Sequence, residues 1–376
     1  MTAGVYLHIP FCKSRCSYCD FATDVYRESG AVERYVDALC AEIQNSKIET
    51  QTLVDTIYFG GGTPSLLAVE RLRWILEAVD EQFDVADGAE ITIEMNPATV
   101  TPETLAGYRD AGVNRASFGV QTFNDRDLKL LARGHDAGDA RNTFKMLRDA
   151  GFSNVSFDLI IGLPGQTLDD WRRNLDEALT LDPEHLSLYI LEVHEATPLA
   201  EQIRSGRRPV PDEERAAEMY EHLLDRIETT EFEQYEISNF AKRGFASRHN
   251  TKYWRLGAVY GFGVSAHSFD GKTRSWNVRD TAEYVAAVES GISPEAGRDV
   301  LGYEKLAGER AFLGLRLNEG LSLREYKTRT GIDLNAKYVG ELERLADAGL
   351  IEFAGDRLRL TRRGMLFSNE VFAVFA

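Results

Sequence analysis

The sequence predicts an α/β fold in which a partial (β/α)6 barrel, similar to a TIM barrel, precedes a smaller C-terminal domain. Six short runs of apolar and β-branched residues alternate with amphipathic segments of helical spacing. This alternation is typical of parallel β/α units joined by right-handed crossovers. The chain of 376 residues also exceeds the size at which one hydrophobic core usually stops growing, so a second unit is expected.

The predicted strands follow one another through the first half of the chain. They are VYLHIP (5–10), TIYFGGG (56–62), EITIEMN (90–96), RASFGVQ (115–121), VSFDLIIGLP (155–164) and HLSLYIL (185–191). Amphipathic helices are predicted between them over 69–83, 101–112, 136–151 and 168–181. Function in such barrels gathers where the strands end, so polar residues at those positions are candidates for a site.

Composition and charge argue against a nucleic-acid-binding, secreted or membrane protein. The net charge of −17 disfavours nucleic acid as a partner and disfavours a polybasic membrane anchor. The start of the chain lacks the cationic and apolar pattern of a signal peptide, and no apolar stretch is long enough to span a bilayer. A cytoplasmic location is therefore expected.

Three cysteines lie within the short stretch FCKSRCSYCDF, at Cys12, Cys16 and Cys19. The fourth, Cys40, falls in a helical pattern over 31–43 and is expected to be buried or half-buried. Such crowding indicates a metal or redox site rather than a disulfide framework. Zinc would need a fourth ligand, which His8 could supply, whereas a [4Fe-4S] cluster on three thiolates would leave one iron open to an outside ligand.

The spacing C-x3-C-x2-C after a first strand resembles that of the radical S-adenosylmethionine (SAM) proteins. The resemblance implies that the three cysteines hold a [4Fe-4S] cluster and that SAM binds the fourth iron. Reduction of the cluster then cleaves SAM to a 5′-deoxyadenosyl radical, while the protein positions and shields the reactants.

One subgroup of this superfamily, the oxygen-independent coproporphyrinogen III oxidase-like proteins, resembles essentially the whole chain. The matching segments are YLHIPFC, GGGTPS, SFGVQTFND, LLARGHD and FDLIIGLPGQT. By this resemblance, SAM is bound by the residues Tyr6, Tyr18, Gly61, Gly62, Thr63, Glu94, Gln121, Arg133 and Asp158. Among these, Tyr6 would lie over the sulfonium, and Tyr18 would pack beside the cluster and adenine.

The residues of GGGTPS also permit interpretations of their own. Its three glycines let the backbone approach a ligand, and Thr63-Pro64 is expected to start a helix whose N–H groups take a carboxylate. A plain tight turn between a strand and a helix would look the same. Glu94, Gln121 and Asp158 lie at or near strand ends, where polar side chains are often functional.

Two departures from the oxidase pattern predict a chain without coproporphyrinogen III oxidase activity, although the radical SAM fold leaves enzymatic activity open. The oxidase carries another cysteine two residues after the triad, where this chain has Phe21. The oxidase also has a sizeable extension before its first strand, whereas Tyr6 comes almost at once here.

The segment HNTKYW, residues 249–254, resembles a motif of haem chaperones within the same subgroup. The resemblance implies a haem site formed by His249, Asn250, Tyr253 and Trp254, with His249 as axial ligand and His267 as an alternative ligand. The competing interpretation is structural: His249 and Asn250 would form a satisfied buried network, with Tyr253 and Trp254 in the core.

The predicted function is accordingly a haem chaperone that carries haem, a [4Fe-4S] cluster and SAM. Its expected partners are acceptor haem proteins such as cytochromes, including membrane-bound respiratory complexes, and a homodimer remains open. Two alternatives are the oxygen-independent oxidase itself, which decarboxylates propionates in haem biosynthesis, and a zinc-stabilised regulator with a DNA-binding tail.

The sequence divides into three predicted parts: a radical SAM barrel over 1–235, a connecting segment with the HNxxYW motif over 236–294, and a C-terminal domain over 295–376. In the last part a helical pattern leads into two short strands joined at Gly355-Asp356, which resembles a winged helix. Residues 320–376 carry nine Lys or Arg and eight Asp or Glu, a balance that disfavours DNA binding. We expect a lid or docking module.

Overall fold

A sheet of twelve strands organises most of the molecule in the computed structural model, which describes residues 2–25 and 29–376. The strands of the first half are β1 (Ala3–Ile9), β2 (Phe11–Cys12), β3 (Asp24–Val25), β4 (Leu53–Gly61), β5 (Asp84–Met95), β6 (Arg115–Gln121), β7 (Val155–Ile161) and β8 (His185–Ile190). Strands β1, β4, β5, β6, β7 and β8 are neighbours in this order, and every pairing among them is parallel. The six predicted strands are confirmed.

Helices connect these strands. They are α1 (Ser29–Gln44), α2 (Val69–Gln82), α3 (Pro102–Asp110), α4 (Asp125–Leu130), α5 (Ala137–Asp149), α6 (Leu168–Leu181), α7 (Pro198–Arg204) and α8 (Glu213–Ile227). Capping boxes at Thr101, Asp136 and Thr167 explain where three of them begin, because side chains there satisfy free backbone N–H groups. The helix predicted from Thr63-Pro64 was wrong in kind: Pro64–Leu66 forms a single 3-10 turn, and α2 begins only at Val69.

The sheet continues through the middle of the chain. Its further strands are β9 (Phe232–Glu236), β10 (Asn239–Lys242), β11 (Val259–Phe262), β12 (His267–Phe269), β13 (Thr273–Asn277) and β14 (Glu295–Val300), with helices α9 (Arg248–Trp254) and α10 (Thr281–Glu289). Strand β11 joins β1 in parallel, while β12 to β14 extend that edge in antiparallel fashion. Since the sheet runs across residues 235 and 294, the three-part division of the chain stays a prediction.

A smaller unit follows the sheet. Its elements are α11 (Tyr303–Arg316), β15 (Leu321–Ser322), α12 (Leu323–Thr330), α13 (Leu334–Lys337), α14 (Val339–Asp347), β16 (Ile351–Ala354), β17 (Arg357–Leu360), α15 (Arg362–Leu366) and α16 (Ser368–Phe372). Strands β16 and β17 meet at Gly355-Asp356 as predicted, with Gly355 at a φ of +62°. None of the described helices is both long enough and apolar enough to cross a bilayer.

The strands of the barrel present different chemistry on their two faces. On β1, Val5, Leu7 and Ile9 are buried in the apolar core against the surrounding helices, whereas Tyr6 points into the barrel. The same alternation on β7 sends Phe157 to the core and leaves Asp158 inside. The interior of this barrel is therefore polar, and it is open enough to hold a ligand.

Candidate functional site

A cavity of about 580 Å³ occupies the interior of the barrel. Its wall contains the cysteines Cys12, Cys16 and Cys19 and the predicted SAM residues Tyr6, Tyr18, Gly61, Gly62, Glu94, Gln121, Arg133 and Asp158. The motif residues His249, Asn250, Tyr253 and Trp254 lie in the same wall. Thr63 lines a small adjoining pocket instead. The cysteine loop and the HNxxYW helix thus meet in one cavity.

The cysteine loop is closed at its base by a short parallel pairing of β2 with β3, in which Cys12 faces Val25. The three cysteines are free thiols. The Thr63 hydroxyl donates a hydrogen bond to Cys12 Sγ at 3.6 Å, and Arg133 Nη1 donates to Cys16 Sγ at 3.4 Å. Two groups are therefore placed to stabilise negative charge on sulfur.

Burial controls the ionisation of these thiols. It raises the pKa of Cys12 to about 11, although the Thr63 hydrogen bond acts in the opposite direction. Burial also raises the pKa of Cys19. These thiols are consequently protonated near neutral pH in the chain alone, so iron binding must displace their protons.

The donor set consists of three free thiols on one loop, and the candidate fourth zinc ligand, His8, is already hydrogen-bonded at both ring nitrogens. No three His, Cys, Asp or Glu side chains in the described part of the chain converge as one metal ion requires. His8, the candidate fourth zinc ligand, is buried, with Nδ1 3.1 Å from the Tyr6 hydroxyl and Nε2 2.9 Å from the Ala22 carbonyl oxygen. A cluster makes a different demand, because its thiolates bind separate irons.

The glycine turn after β4 packs closely against the cysteine loop. Gly61 has a φ of +111°, and a Cβ on Gly62 would lie 2.7 Å from the Pro10 carbonyl carbon. The Gly61 N–H donates to Glu94 Oε2 at 3.1 Å, which ties the turn to β5. These glycines thus allow the turn after β4 to pack closely against the cysteine loop. The sequence had suggested only that they let the backbone approach a ligand.

Two half-buried carboxyl groups, Glu94 and Asp158, and one buried arginine, Arg115, line the cavity. Burial raises the pKa of Glu94, and burial together with the negative charge of Glu94 raises the pKa of Asp158 to about 7. Arg115 is 1% exposed and lines the cavity, and its Nε has no hydrogen-bond partner among the described residues. Its positive charge opposes both pKa shifts. Sequence reasoning missed Arg115, although it shares a strand face with Ser117 on β6.

Arg133 is fixed by a second residue that the sequence analysis missed. Its Nη2 donates to Asn96 Oδ1 at 2.5 Å and to the Gly119 carbonyl oxygen at 2.6 Å. Asn96 Nδ2 donates in turn to Thr63 Oγ1 at 2.8 Å. Asn96 therefore links the arginine beside Cys16 to the hydroxyl beside Cys12. Its position just after β5 was the available signal.

Gln121 adopts a strained backbone conformation at the end of β6. Its φ is +67°, in the left-handed region that residues other than glycine rarely occupy. The Tyr189 hydroxyl donates to Gln121 Oε1 at 3.0 Å and fixes the amide in the cavity wall. Strain of this kind persists where the surroundings hold a residue in place, as they do at binding sites.

The HNxxYW motif forms helix α9, whose first turn is capped from another part of the chain. Ser247 accepts a hydrogen bond from the Asn250 N–H, while the Glu90 carboxylate accepts from the N–H groups of Arg248 and His249, each at 3.1 Å. Negative charge at a helix start is favourable because the N–H groups point toward it. Glu90 therefore helps to seat α9 against the barrel.

His249 is fully engaged within the protein. Its ring is 1% exposed, with Nδ1 3.0 Å from Thr56 Oγ1 and Nε2 3.2 Å from the Tyr253 hydroxyl. Burial, with a smaller contribution from the positive charge of Lys252, lowers the pKa of His249 to about 3. An iron ligand at Nε2 would therefore have to replace the Tyr253 hydroxyl.

The remaining motif residues are less buried than the structural interpretation expected. Tyr253 is 38% exposed and is not a core residue. The Trp254 ring stacks under the Arg316 guanidinium at 4.3 Å, and its Nε1 has no partner within the described residues. His267, the alternative ligand, lies outside the cavity wall on β12, where it is exposed and stacks on Trp276 with ring centroids 6.1 Å apart.

Comparison with known proteins shows two domain types and a set of full-length relatives. Residues 6–178 match the radical SAM superfamily, and residues 304–367 match the HemN C-terminal domain. The chain is 38% identical to the "Heme chaperone HemW" of Bacillus subtilis, over 99% of this chain and 98% of that protein. It is 39% identical to the protein of the same name from Mycobacterium tuberculosis, over 98% and 93% of the two chains.

A solved structure confirms the fold. Coproporphyrinogen III oxidase (HemN) from Escherichia coli, described as a radical SAM enzyme, superposes with a TM-score of 0.87 and covers 100% of this chain and 90% of its own. Its sequence is 23% identical, so this likeness concerns the fold and not the activity. The predicted radical SAM type of α/β fold, with its additional C-terminal domain, is confirmed.

Proposed function

Since this chain belongs to the HemW family of radical SAM proteins, we propose that it is a haem chaperone, which binds haem and delivers it to acceptor haem proteins such as respiratory cytochromes. The relatives over nearly its whole length carry the name haem chaperone. The position of α9 supports the proposal within this chain, because the motif helix forms part of the cavity that also contains the cysteine loop.

The family implies a [4Fe-4S] cluster and SAM, and the residues present fit both. Cys12, Cys16 and Cys19 would hold the cluster, whose reduced form supplies the electron that cleaves SAM when both are bound. Arg133 and Thr63 already donate hydrogen bonds to two of the sulfur atoms. Their part is to stabilise thiolate charge at the edge of the cavity.

The proposed SAM site uses groups that the fold has fixed in advance. The Glu94 carboxylate holds the Gly61 N–H and the Tyr58 hydroxyl, and the latter donates at 2.7 Å. Tyr6 stacks on Tyr58 with ring centroids 6.2 Å apart, and its ring belongs to the cavity wall. Its aromatic face suits a sulfonium cation. Pre-organised groups of this kind lower the entropic cost of binding.

The single observation that carries the haem proposal is the aromatic contact between His249 of α9 and Tyr58, the residue that holds Glu94 of the predicted SAM site. The His249 ring stacks on Tyr58 with centroids 5.0 Å apart, and Tyr58 donates its hydroxyl to Glu94. A change in the position of Glu94 when SAM binds can therefore be transmitted through Tyr58 to the His249 ring of the haem motif. A chaperone that governs haem release through its cofactor site needs such a connection.

The oxidase alternative requires a further cysteine at the position where this chain has Phe21. This side chain is 67% exposed and lines the mouth of the cavity, where the oxidase pattern places a further cysteine. An apolar phenyl ring cannot replace the chemistry of a thiol there. We therefore propose that the chain does not decarboxylate coproporphyrinogen.

We further propose that the chain works in the cytoplasm, passing haem to membrane-bound complexes, and that it forms a homodimer when loaded. Its four cysteines are all free thiols, which suits a reducing compartment. Size measurement with and without the reconstituted cluster would test the dimer, and capture of apo-cytochromes by the haem-loaded chain would test the acceptors.

Anaerobically reconstituted protein would test the function in two parallel assays. One portion is titrated with haemin, and the other receives coproporphyrinogen III, SAM and a reductant. We expect stoichiometric haemin binding that is weakened by His249→Ala and unchanged by the matched control His267→Ala, with no protoporphyrinogen formed. Protoporphyrinogen at many turnovers per chain, or an absence of haemin binding, would overturn the proposal.

A further inference from the structure

A second cavity, of about 760 Å³, lies on the other side of α9. It is bounded by Thr2 and Asp55 near the starts of β1 and β4, and by residues of α9, α11, α12 and β17. Trp254 lines both this cleft and the barrel cavity. Helix α9 is therefore a partition between two cavities, and its tryptophan is accessible from each side. The volume lies within the range of small-molecule sites.

The cleft is cationic on a strongly acidic protein. Six lining residues carry a positive charge: Arg248, Lys252, Arg255, Arg310, Arg329 and Arg357. Three carry a negative charge: Asp55, Glu319 and Glu325. The lining thus has an excess of three positive charges, whereas the whole chain has a net charge of −17. A concave surface of one sign concentrates ligands of the opposite sign.

Each carboxylate of the cleft is already paired. The pairs are Asp55 with Lys252 at 2.5 Å and Arg248 at 3.1 Å, Glu319 with Arg255 at 3.2 Å and Arg357 at 3.6 Å, and Glu325 with Arg329 at 2.8 Å. Five cations therefore share three carboxylates. The sixth cation, Arg310, is left without a carboxylate at ion-pair distance among the described residues.

Arg310 is half-buried on α11, and its surroundings are unfavourable for a charge. Burial and the positive charge of Arg329 lower the pKa of Arg310, and the negative charge of Glu325 offsets only part of this lowering. An arginine does not lose its proton in proteins, so it stays charged and incompletely paired. A carboxylate entering the cleft would relieve that cost through a two-pronged guanidinium contact.

We propose that this cleft binds the propionate carboxylates of haem, with Arg310 as their receptor and Trp254 against the macrocycle. The inference rests on the proposed haem function and adds to it the place of the carboxylates. Haem is the ligand that combines a flat apolar ring with two adjacent carboxylates, and the cleft offers an indole beside an excess of cations. His249 lines the barrel cavity and not this cleft, whereas Trp254 lines both, so the haem would have its carboxylates in the cleft and its ring beside Trp254, with the iron toward His249. Arg310 therefore concerns the carboxylates, while the variants of His249 and His267 test the iron ligand.

The test compares haemin with haemin dimethyl ester, in which both carboxylates are masked. Each is titrated into the full-length reconstituted chain and into Arg310→Gln, Arg310→Lys, Arg329→Gln and the control Arg344→Gln, which changes an exposed arginine on α14. We expect Arg310→Gln to bind haemin about tenfold more weakly, since a charged hydrogen bond is lost, and to bind the ester unchanged. Arg310→Lys should restore part of the affinity, and added salt should weaken haemin binding but not ester binding.

The outcomes separate the two proposals. If the unaltered chain binds haemin, and Arg310→Gln and Arg329→Gln bind it with the same affinity, the propionate proposal for the cleft is overturned. The proposed chaperone function is then unaffected. The proposal is also overturned if Arg310→Gln loses as much affinity for the dimethyl ester as for haemin. Such equal losses would indicate a rearranged fold and not a lost carboxylate contact. If duplex DNA competes with haemin for binding, the cationic residues of the cleft bind phosphate groups, and the propionate proposal is overturned as well. If the unaltered chain binds neither haemin nor the ester, the proposed function itself fails.

Discussion

The imidazole of His249 stacks on the phenol ring of Tyr58, with ring centroids 5.0 Å apart and ring planes inclined by 28°. His249 belongs to the proposed haem motif, whereas Tyr58 donates its hydroxyl to Glu94 at the proposed SAM site. Two sites that are far apart in sequence therefore share a direct contact. A change at either one is expected to be measurable at the other.

Replacing the cysteines of the loop should separate cluster ligands from structural thiols. Cys12→Ala, Cys16→Ala and Cys19→Ala are each expected to lose most of the iron and sulfide after anaerobic reconstitution, because three thiolates are the minimum set for the cluster. The control is Cys40→Ala, at a half-buried thiol on α1 outside the cavity. Iron and sulfide analysis would check this. Full iron content in any of the first three variants would remove that cysteine from the ligand set.

Glu94→Gln should weaken SAM binding. The amide keeps the shape of the side chain but loses the charge that accepts from Tyr58 and the Gly61 N–H. Hydrogen bonds to charged groups contribute about 1.5–3 kcal/mol, and here they fix the glycine turn of the proposed SAM site. If about half of that free energy is lost when SAM binds the loosened turn, SAM affinity falls by about tenfold. Anaerobic calorimetric titration would measure it. The control is Glu77→Gln on the exposed face of α2, and equal affinities in the two variants would contradict the assignment.

The strain at Gln121 should be visible as a difference between two substitutions. Gln121→Ala and Gln121→Gly both lose the hydrogen bond from Tyr189, but only glycine accepts a φ of +67° without strain. We expect the glycine variant to have a free energy of unfolding about 1 kcal/mol higher than the alanine variant, because the left-handed conformation costs about that much. Chemical denaturation would measure it. An alanine variant of equal or greater stability would show that the strain is absent.

Acid should destabilise the protein partly through His249. The pKa of His249 is lowered to about 3 by burial, so between pH 6.5 and 3 the unfolded chain binds a proton there and the folded chain does not. Stability is therefore lost as the pH falls below the unfolded pKa. From pH 7 to pH 5 this site should cost about 2 kcal/mol, estimated at 1.36 kcal/mol per pH unit.

The measurement is the free energy of unfolding of His249→Gln and of the unaltered chain at both pH values. The glutamine variant should be less stable at pH 7, because it loses contacts of the imidazole, but its loss of stability between pH 7 and pH 5 should be smaller. His194→Gln, at an exposed histidine in the loop after β8, is the control. Parallel pH profiles for the variant and the unaltered chain would contradict the predicted shift.

Local sequence patterns determined much of the fold and part of the site. Six apolar runs and the helical spacing between them predicted the parallel strands, because burial on one face imposes a period on neighbouring residues. The spacing of Cys12, Cys16 and Cys19 placed three thiols on one short loop, since residues so close in sequence cannot be far apart. Phe21 was readable in the same way, as the residue that stands where the oxidase pattern has a cysteine.

Only the tertiary structure decided what lies across the barrel from those residues. Glu90 caps α9, Asn96 joins Arg133 to Thr63, and the 3-10 turn replaced a helix expected after the glycines. The local pattern does not predict that Arg115 Nε has no hydrogen-bond partner, or that Arg310 has no carboxylate partner, among the described residues, because the pairing of an arginine depends on segments distant in the chain. The sequence specifies local periods and spacings, whereas unpaired charge and shared cavities are properties of contacts between segments far apart in the chain.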